Sequence, residues 1–394
     1  MTNDAIIVAG HCCLDIIPSF ASTADGELHP GKLVDVGPAL LAPGGTVSNV
    51  GLSLNRLGAP VHMVGKVGDD HFGHILLTLY AERDPALAHG MIVAQGEVTS
   101  YSVVISPPGS DRIFLHCSGA NHTFSAADLL AQSFDGAAIL HFGYPPLMRG
   151  MYRDGGADLA AIMQETRRRG LFTSLDMALP DPASEAGQVD WRTLLQRVLP
   201  FVDTFLPSIE ETLFMLDRAK YDELRARFGL AGVIEGVDAA LLTRLAGELL
   251  SWGARIVGLK LGDQGLYLRT AQDVGSVPLL NPSAWANREL LVPCFQTTVA
   301  GTTGAGDATI AGLLTAQFGG MTPEAAIRSA VAVGAYSVEH IDATSGVHSW
   351  DEVQQRLQTN WPTHPMRLDL PGWRWDNTAM VWYGPSDRTR GAIS

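Results

Sequence analysis

The sequence predicts an α/β protein: a doubly wound, mostly parallel sheet with helices on both faces and a small β-sheet lid. Three observations carry this reading. Short apolar runs of strand length alternate with helix-like stretches. Two segments break that rhythm and show no helical period. With 394 residues, 46% hydrophobic and 17% charged, the chain can bury a large core and is not of disordered composition.

In chain order, 5–9 (AIIVA) is a first strand, and 12–40 is the first irregular segment. Gly44 and Gly45 then precede a helix over 47–57, with Val50, Leu54 and Leu57 apolar and Gly58 as its stop. A strand at 61–64 and a helix at 73–81 follow. The second irregular segment, 92–117, reads as two strands, 101–105 and 112–116, around a turn at 107–111. The two irregular segments can pair into a lid over one end of the main domain, or remain two surface hairpins without a role. Beyond them, strands at 137–142, 171–175, 204–206 and 255–261 alternate with helices at 157–169 and 239–252. Residues 1–360 read as one domain carrying lid segments at about 12–40 and 92–117, and 361–394 as a C-terminal extension. That tail is rich in Trp, Pro and Arg and looks like an extended arm packed on the domain or on a neighbour.

Charge and cysteines narrow the function classes. There are 41 acidic and 27 basic residues, a net charge of −14 that repels phosphate backbones, so no nucleic-acid partner is expected. Cys12, Cys13, Cys117 and Cys294 fit no zinc-ligand spacing and are expected as reduced thiols. No run reaches the ~18 apolar residues of a membrane span, and MTNDAIIVAG has no signal-peptide pattern. A cytoplasmic enzyme without a membrane partner is the expectation.

The chemistry is concentrated in GTTGAGDATIAGLLTAQFGG, from Gly301. Ala308, Ile310, Ala311, Leu313, Leu314 and Phe318 recur at helical spacing and Gly319–Gly320 end the helix, so the glycine-rich loop feeds a helix N-terminus. Unpaired N–H groups and the helix dipole favour an anion there. The spacing from Gly301 to Gly306 matches the glycines of a P-loop, but Asp307 stands where that loop needs Lys. Gly304 and Gly306 begin a dinucleotide fingerprint that Thr309 fails to complete. What remains is a transfer site, in which the backbone of 304–306 holds a moving phosphoryl group and Asp307 takes a proton. Taken alone, the motif is equally an acid at the start of an ordinary core helix. A second cluster, GGTVSNVGLSLNRLG from Gly44, adds Asn49 in a first helical turn, able to direct its amide at ligand hydroxyls.

Together the two motifs resemble the ribokinase-like (PfkB) family of carbohydrate kinases. VGDDHFG at 67–73, SGANHTF at 118–124, VDTFLPSIEE at 202–211 and KLGDQG at 260–265 follow in the family's order, over about residues 5–355. The resemblance implies a ribokinase-like kinase domain using ATP and Mg²⁺ to phosphorylate a hydroxyl of a sugar or sugar-like molecule. It implies that Asp307 is the catalytic base and that Gly304, Ala305 and Gly306 form the anion hole. Asp15, Gly44, Gly45 and Asn49 match residues that hold sugar hydroxyls. Lys260, Gly262, Gly265 and Thr303 match the nucleotide side, as does 343–347 near the adenine. Glu211 matches an acid that organises Mg²⁺ through water. The lid implies a homodimer interface. No role is assigned to His11 or Arg112.

Departures from the family pattern matter too. Gly301 stands where the family has an Asp that helps to hold potassium in some relatives, which puts a monovalent-cation site in doubt. Ser208 replaces the Asn of an N-x-x-E motif. Gly143 in HFGYPPL stands where ribose-specific relatives have a sugar-binding acid, and the segment at Asp176 lacks the usual Asn and Arg. Two other outcomes stay open: a nucleoside kinase of the same fold, or a sugar- or nucleotide-binding protein without turnover.

Overall fold

The computed structural model describes residues 5–20, 30–106, 113–230, 232–275 and 280–388. Its strands are, in chain order, β1 (Ala5–Gly10), β2 (Cys13–Ser19), β3 (Gly37–Gly44), β4 (Val61–Val64), β5 (Lys66–Gly68), β6 (Ile92–Ala94), β7 (Tyr101–Ile105) and β8 (Ile113–Cys117). They continue with β9 (Ala137–Gly143), β10 (Phe172–Leu175), β11 (Thr204–Phe205), β12 (Ile256–Lys260), β13 (Leu266–Thr270), β14 (Glu289–Val292), β15 (Arg374–Asp376) and β16 (Val381–Tyr383).

The main sheet has the order β15-β16-β14-β13-β12-β11-β10-β9-β1-β4. Neighbours from β4 to β12 are parallel, and β13, β14, β16 and β15 add an antiparallel flank. Alternate residues feed two cores. Ile7 and Ala9 of β1 enter one, with Leu159, Leu194 and Leu242; Ile6 and Val8 enter the other, with Val50, Leu54, Ile310 and Leu314. A sheet buried on both faces is what a continuous apolar run such as AIIVA requires.

The chain leaves β1 for β4 on one side and later enters β9 on the other, so strand order reverses between β1 and β9. In open α/β sheets a ligand crevice lies beyond the C-terminal strand ends at such a point. Here the crevice is flanked by His11, after β1, and Tyr144, after β9.

The two irregular segments do pair, forming a four-stranded sheet of order β3-β2-β7-β8. Register puts Ala42, Asp15, Ser102 and His116 in one row, and Leu41, Ile16, Val103 and Leu115 in the next, on the opposite face. The turn at 107–111, Arg112 and residues 21–29 lie outside the described residues. β5 and β6 form a separate parallel pair.

The helix expected from 47 starts two residues earlier and runs Gly45–Arg56. Gly44 ends β3, and Gly45 turns the chain at φ +81, where a Cβ would press on the His11 ring and backbone. Much of the tail packs on the main domain. Trp361 stacks on Phe295 at 4.5 Å between ring centroids, and the Arg367 amide donates to Gln264 Oε1 at 2.8 Å. β16 then pairs with β14 and β15 with β16, so part of the tail extends the main sheet. Asp387 receives the buried Arg288 guanidinium at 3.0 Å. Among the described residues no helix is long and apolar enough to cross a membrane, and the four cysteines are free.

Candidate active site

The glycine-rich loop ends at Gly304, which caps the helix Ala305–Phe318 in the left-handed region at φ +75. A Cβ at Gly304 would overlap Ala343, so both the dihedral and the space demand glycine. Gly306 and Asp307 lie in the first turn of this helix, where amides lack helical carbonyl partners, whereas the Ala305 amide already donates to the Thr302 carbonyl at 3.4 Å. That is the local basis for an anion site. Gly301 is tightly enclosed: a Cβ there would lie 2.9 Å from the Ile341 carbonyl oxygen and 3.1 Å from that of His340.

Asp307 sits in the first helical turn and is 3% exposed. Its carboxylate is held from two sides. Asn49 Nδ2 donates to Oδ2 at 3.0 Å, from the helix Gly45–Arg56 that shares a core with Ala305–Phe318. The Tyr144 hydroxyl lies 2.9 Å from Oδ1 and 2.8 Å from Oδ2. Burial raises the Asp307 pKa, while Lys260 first, then Tyr144 and Asn49, oppose that rise.

Lys260 ends β12 and gives its Nζ to Asp176 Oδ1 at 2.6 Å, just past β10. Burial opposes the lysine charge, but Asp176 and Glu211 outweigh it and keep Lys260 protonated. Burial pushes Asp176 up to about 6, against the pull of Lys260, and Glu211 up to about 8. Glu211 is also half of a capping box: its Oε2 accepts the Ser208 amide at 2.6 Å, and Ser208 Oγ accepts the Glu211 amide at 3.2 Å. Ser208 is bridged to Lys260 across the backbone, which brings the capping box beside the lysine. Asn49, Lys260, Asp307 and, through Lys260, Glu211 therefore converge on one charged centre.

Asp15 belongs to a second, neighbouring group. Its carboxylate packs against the Gly44 Cα, where a side chain would collide with it, and Cys13 Sγ donates to Oδ1 at 3.4 Å. Burial lifts the Asp15 pKa to about 6, with Cys13 and Ser102 pulling against it. Ser102 Oγ lies 3.0 Å from His116 Nδ1, and His116 Nε2 lies 3.4 Å from His11 Nε2. Burial depresses both imidazoles, the neighbouring His116 adding to the effect at His11, so both are neutral near pH 7. The His11 ring centroid is 6.2 Å from that of Tyr144. A polar row thus runs from the lid to the charged centre.

Gly262, at φ +56, and Gly265, at φ +94, shape the turn between β12 and β13; a Cβ at Gly265 would overlap the Val292 carbonyl. That turn is tied to the tail rather than to Asp307, because Arg367 bonds Asp263 at 2.8 Å. Thr303 is half-buried in the turn before Gly304.

Several buried polar atoms have no hydrogen-bond partner among the described residues: Thr46 Oγ1, Asn49 Oδ1, His11 Nδ1 and Asp176 Oδ2. Such atoms are costly unless a ligand or water completes them. Tyr144 and Asp176 are the site residues that motif reasoning left without a role. A usable signal existed, since each directly follows a buried strand at its C-terminal end.

Residues 4–350 match the profile of a family described as pfkB family carbohydrate kinase. Fructokinase-1 of Zea mays is 27% identical over 316 residues, covering 79% of this chain and 82% of that protein. Fructokinase-1 of Oryza sativa subsp. japonica is 26% identical over the same length, with the same coverage. Among solved structures, fructokinase with bound ATP from Xylella fastidiosa superposes with a TM-score of 0.67 at 21% identity, covering 91% of this chain and 99% of that one. Arabidopsis thaliana ribokinase complexed with ribose and ATP gives 0.67 at 17% identity, covering 91% and 100%. A putative ribokinase II from E. coli in complex with ATP and Mg²⁺ gives 0.64 at 19%, covering 90% and 99%.

Proposed function

The chain belongs to the pfkB family of carbohydrate kinases, and from that premise we propose that it transfers the γ-phosphoryl group of ATP to a hydroxyl of an uncharged sugar. The observation that carries this is Asp307: a buried carboxylate in the first turn of a helix, aimed by Asn49 and Tyr144 and faced by Lys260. Asp307 takes the proton of the attacking hydroxyl while its oxygen attacks the phosphorus. The amides of 304–306 receive the charge that develops on the phosphoryl oxygens. Lys260, held charged by Asp176, faces the same anion.

Glu211 and Asp176 suit Mg²⁺ held through water, because Asp176 Oδ2 is buried without a partner and a cation would ionise Glu211. Such an ion would supply neutralising charge on the phosphates. Gly301 offers no carboxylate and its surroundings leave no room for one, which supports activity without potassium.

Substrate charge follows from the acceptor side. Asp15, Thr46, Asn49, Ser102 and Tyr144 are acidic or neutral, and His11 and His116 are neutral by burial. With no cation among these described residues, a sugar phosphate or sugar acid is disfavoured and a polyol favoured. Fructose heads the candidates, since the relatives are named fructokinases. We also propose a homodimer through the outer lid face, where Leu115 is 55% and Leu41 38% exposed.

The test is ADP release by the purified chain over neutral sugars, sugar phosphates and nucleosides, with and without potassium. Turnover is expected on a neutral sugar irrespective of potassium. Asp307→Asn should still bind ATP and lose about 10²–10⁴-fold in kcat. Full turnover in that variant would overturn the base assignment. ATP binding without turnover on any acceptor would make the chain a binding protein.

A further inference from the structure

We propose that Tyr144 is a built-in stand-in for the acceptor hydroxyl, which shields Asp307 from water and suppresses ATP hydrolysis until a sugar displaces it. The inference rests on Asp307 being the base. A kinase of this kind has a standing hazard: water is a small hydroxyl acceptor, always present, that any exposed base can activate.

Asp307 has two oxygens with different surroundings. Oδ2 accepts from both Asn49 Nδ2 at 3.0 Å and the Tyr144 hydroxyl at 2.8 Å. Oδ1 accepts from Tyr144 at 2.9 Å, the one donor to it among the described residues. The phenol therefore stands where an acceptor O–H would stand, straddling the oxygen that Asn49 leaves free. Because one O–H proton spans two oxygens, a substrate hydroxyl can take Oδ1 while the phenol retreats to Oδ2. The phenol is a far poorer acceptor site for water than an open crevice.

The backbone shows that this placement is imposed. Tyr144 lies at φ 61, ψ 42, in the left-handed region that a bulky residue avoids. Strain of that kind persists where the surroundings over-determine it, and clusters at functional sites. Two features hold it. Gly143 is packed so closely against the Thr46 side chain that it admits no Cβ, and Pro145 and Pro146 follow at once in a short 3₁₀ turn. The charge-assisted bonds to Asp307 reward the resulting aim. Tyr144 also stands at the point where strand order reverses, at the mouth of the crevice and beside the His11 ring. Displacement is needed only at the hydroxyl, so a sugar bound by Asp15 and Thr46 can perform it without unfolding the turn.

The uncoupled reaction that this blocks is hydrolysis of ATP. Water oxygen bonds to the γ-phosphorus, the bond to the β–γ bridging oxygen breaks, ADP departs, and the water proton passes to Asp307.

The test measures ADP release from Mg-ATP by the full chain with no sugar present, alongside kcat and KM for its best sugar. Tyr144→Phe keeps ring and shape but loses the donor. Acceptor-independent hydrolysis should rise about tenfold or more as a fraction of turnover on the sugar. Tyr144→Gly, which adopts the same φ without strain, should show the same rise, reversed by added p-cresol. Unchanged hydrolysis in both variants, whatever their KM, overturns the proposal; a raised KM in that case makes the hydroxyl a sugar ligand instead. A wild type that phosphorylates a sugar beside such silent variants leaves the kinase reading standing and removes only this inference. A wild type that turns over no acceptor removes the kinase reading itself.

Discussion

Burial works against the charge of Asp307, and the identity of the group that offsets it can be tested. Burial disfavours the carboxylate; Lys260 is the largest opposing influence, ahead of the hydrogen bonds from Tyr144 and Asn49. A base must be deprotonated to act, so activity is lost as pH falls through its pKa. Removing Lys260 takes away a factor that lowers that pKa. In Lys260→Met the acid limb of the kcat/KM profile should therefore move to higher pH, read against wild type in one buffer series. A limb at the wild-type position, with kcat alone reduced, would mean that Lys260 serves the phosphates and not the base. The paired Asp176 carries a consequence of its own. Its removal would leave Lys260 buried among Glu211 and Asp307 without its 2.6 Å partner, the kind of change that costs more than the pair contributes.

At the scale of elements, the helix Ala305–Phe318 and its loop separate two roles of glycine. Gly304 is required by φ and by contact with Ala343, so Gly304→Ala should destabilise the fold by about 1–3 kcal/mol. A Cβ at Gly306 would meet the Lys260 side chain at 3.5 Å, an ordinary contact. Gly306→Ala should therefore melt like wild type in urea and lose kcat, because the added methyl enters the space of the anion. Equal melting of both variants would dissolve the distinction. Elements of this type were legible in the chain: 61–64 and 101–105 fall on strands with the same bounds, and 239–252 on the helix Ala239–Ser251, because short apolar runs and capping residues act locally. The lid pairing was legible as well, from the lack of helical period in its two segments. The antiparallel flank was not. β15 and β16 lie in a Trp-rich tail whose strand character comes from pairing with distant partners. Asp176–Lys260 and Tyr144–Asp307 escaped for the same reason: they join residues 84 and 163 positions apart, and no local pattern encodes such a contact. Lys260 itself, assigned to the nucleotide side from its motif, reaches into the carboxylate cluster, which only the fold could reveal.

For the whole molecule, two sheets meet at one crevice, and the outer lid face carries several exposed apolar side chains. Leu115, Ile113 and Leu41 are 55%, 52% and 38% exposed, more than a monomer keeps uncovered without use. Light scattering after gel filtration should give a dimer for wild type and a monomer for Leu115→Lys. The melting free energy of the separated variant should change by no more than about 0.5 kcal/mol, as befits an exposed site. A wild-type monomer would end the dimer proposal. The opposite margin of the main sheet has a different history. β14 leaves the ribosome long before Val381, so for much of synthesis its outer hydrogen-bonding edge lies bare, with the core already able to collapse behind it. An open strand edge is a template for pairing with other chains. Nascent or prematurely terminated products that lack β16 should therefore be sticky, because β16 is the strand that covers the β14 edge.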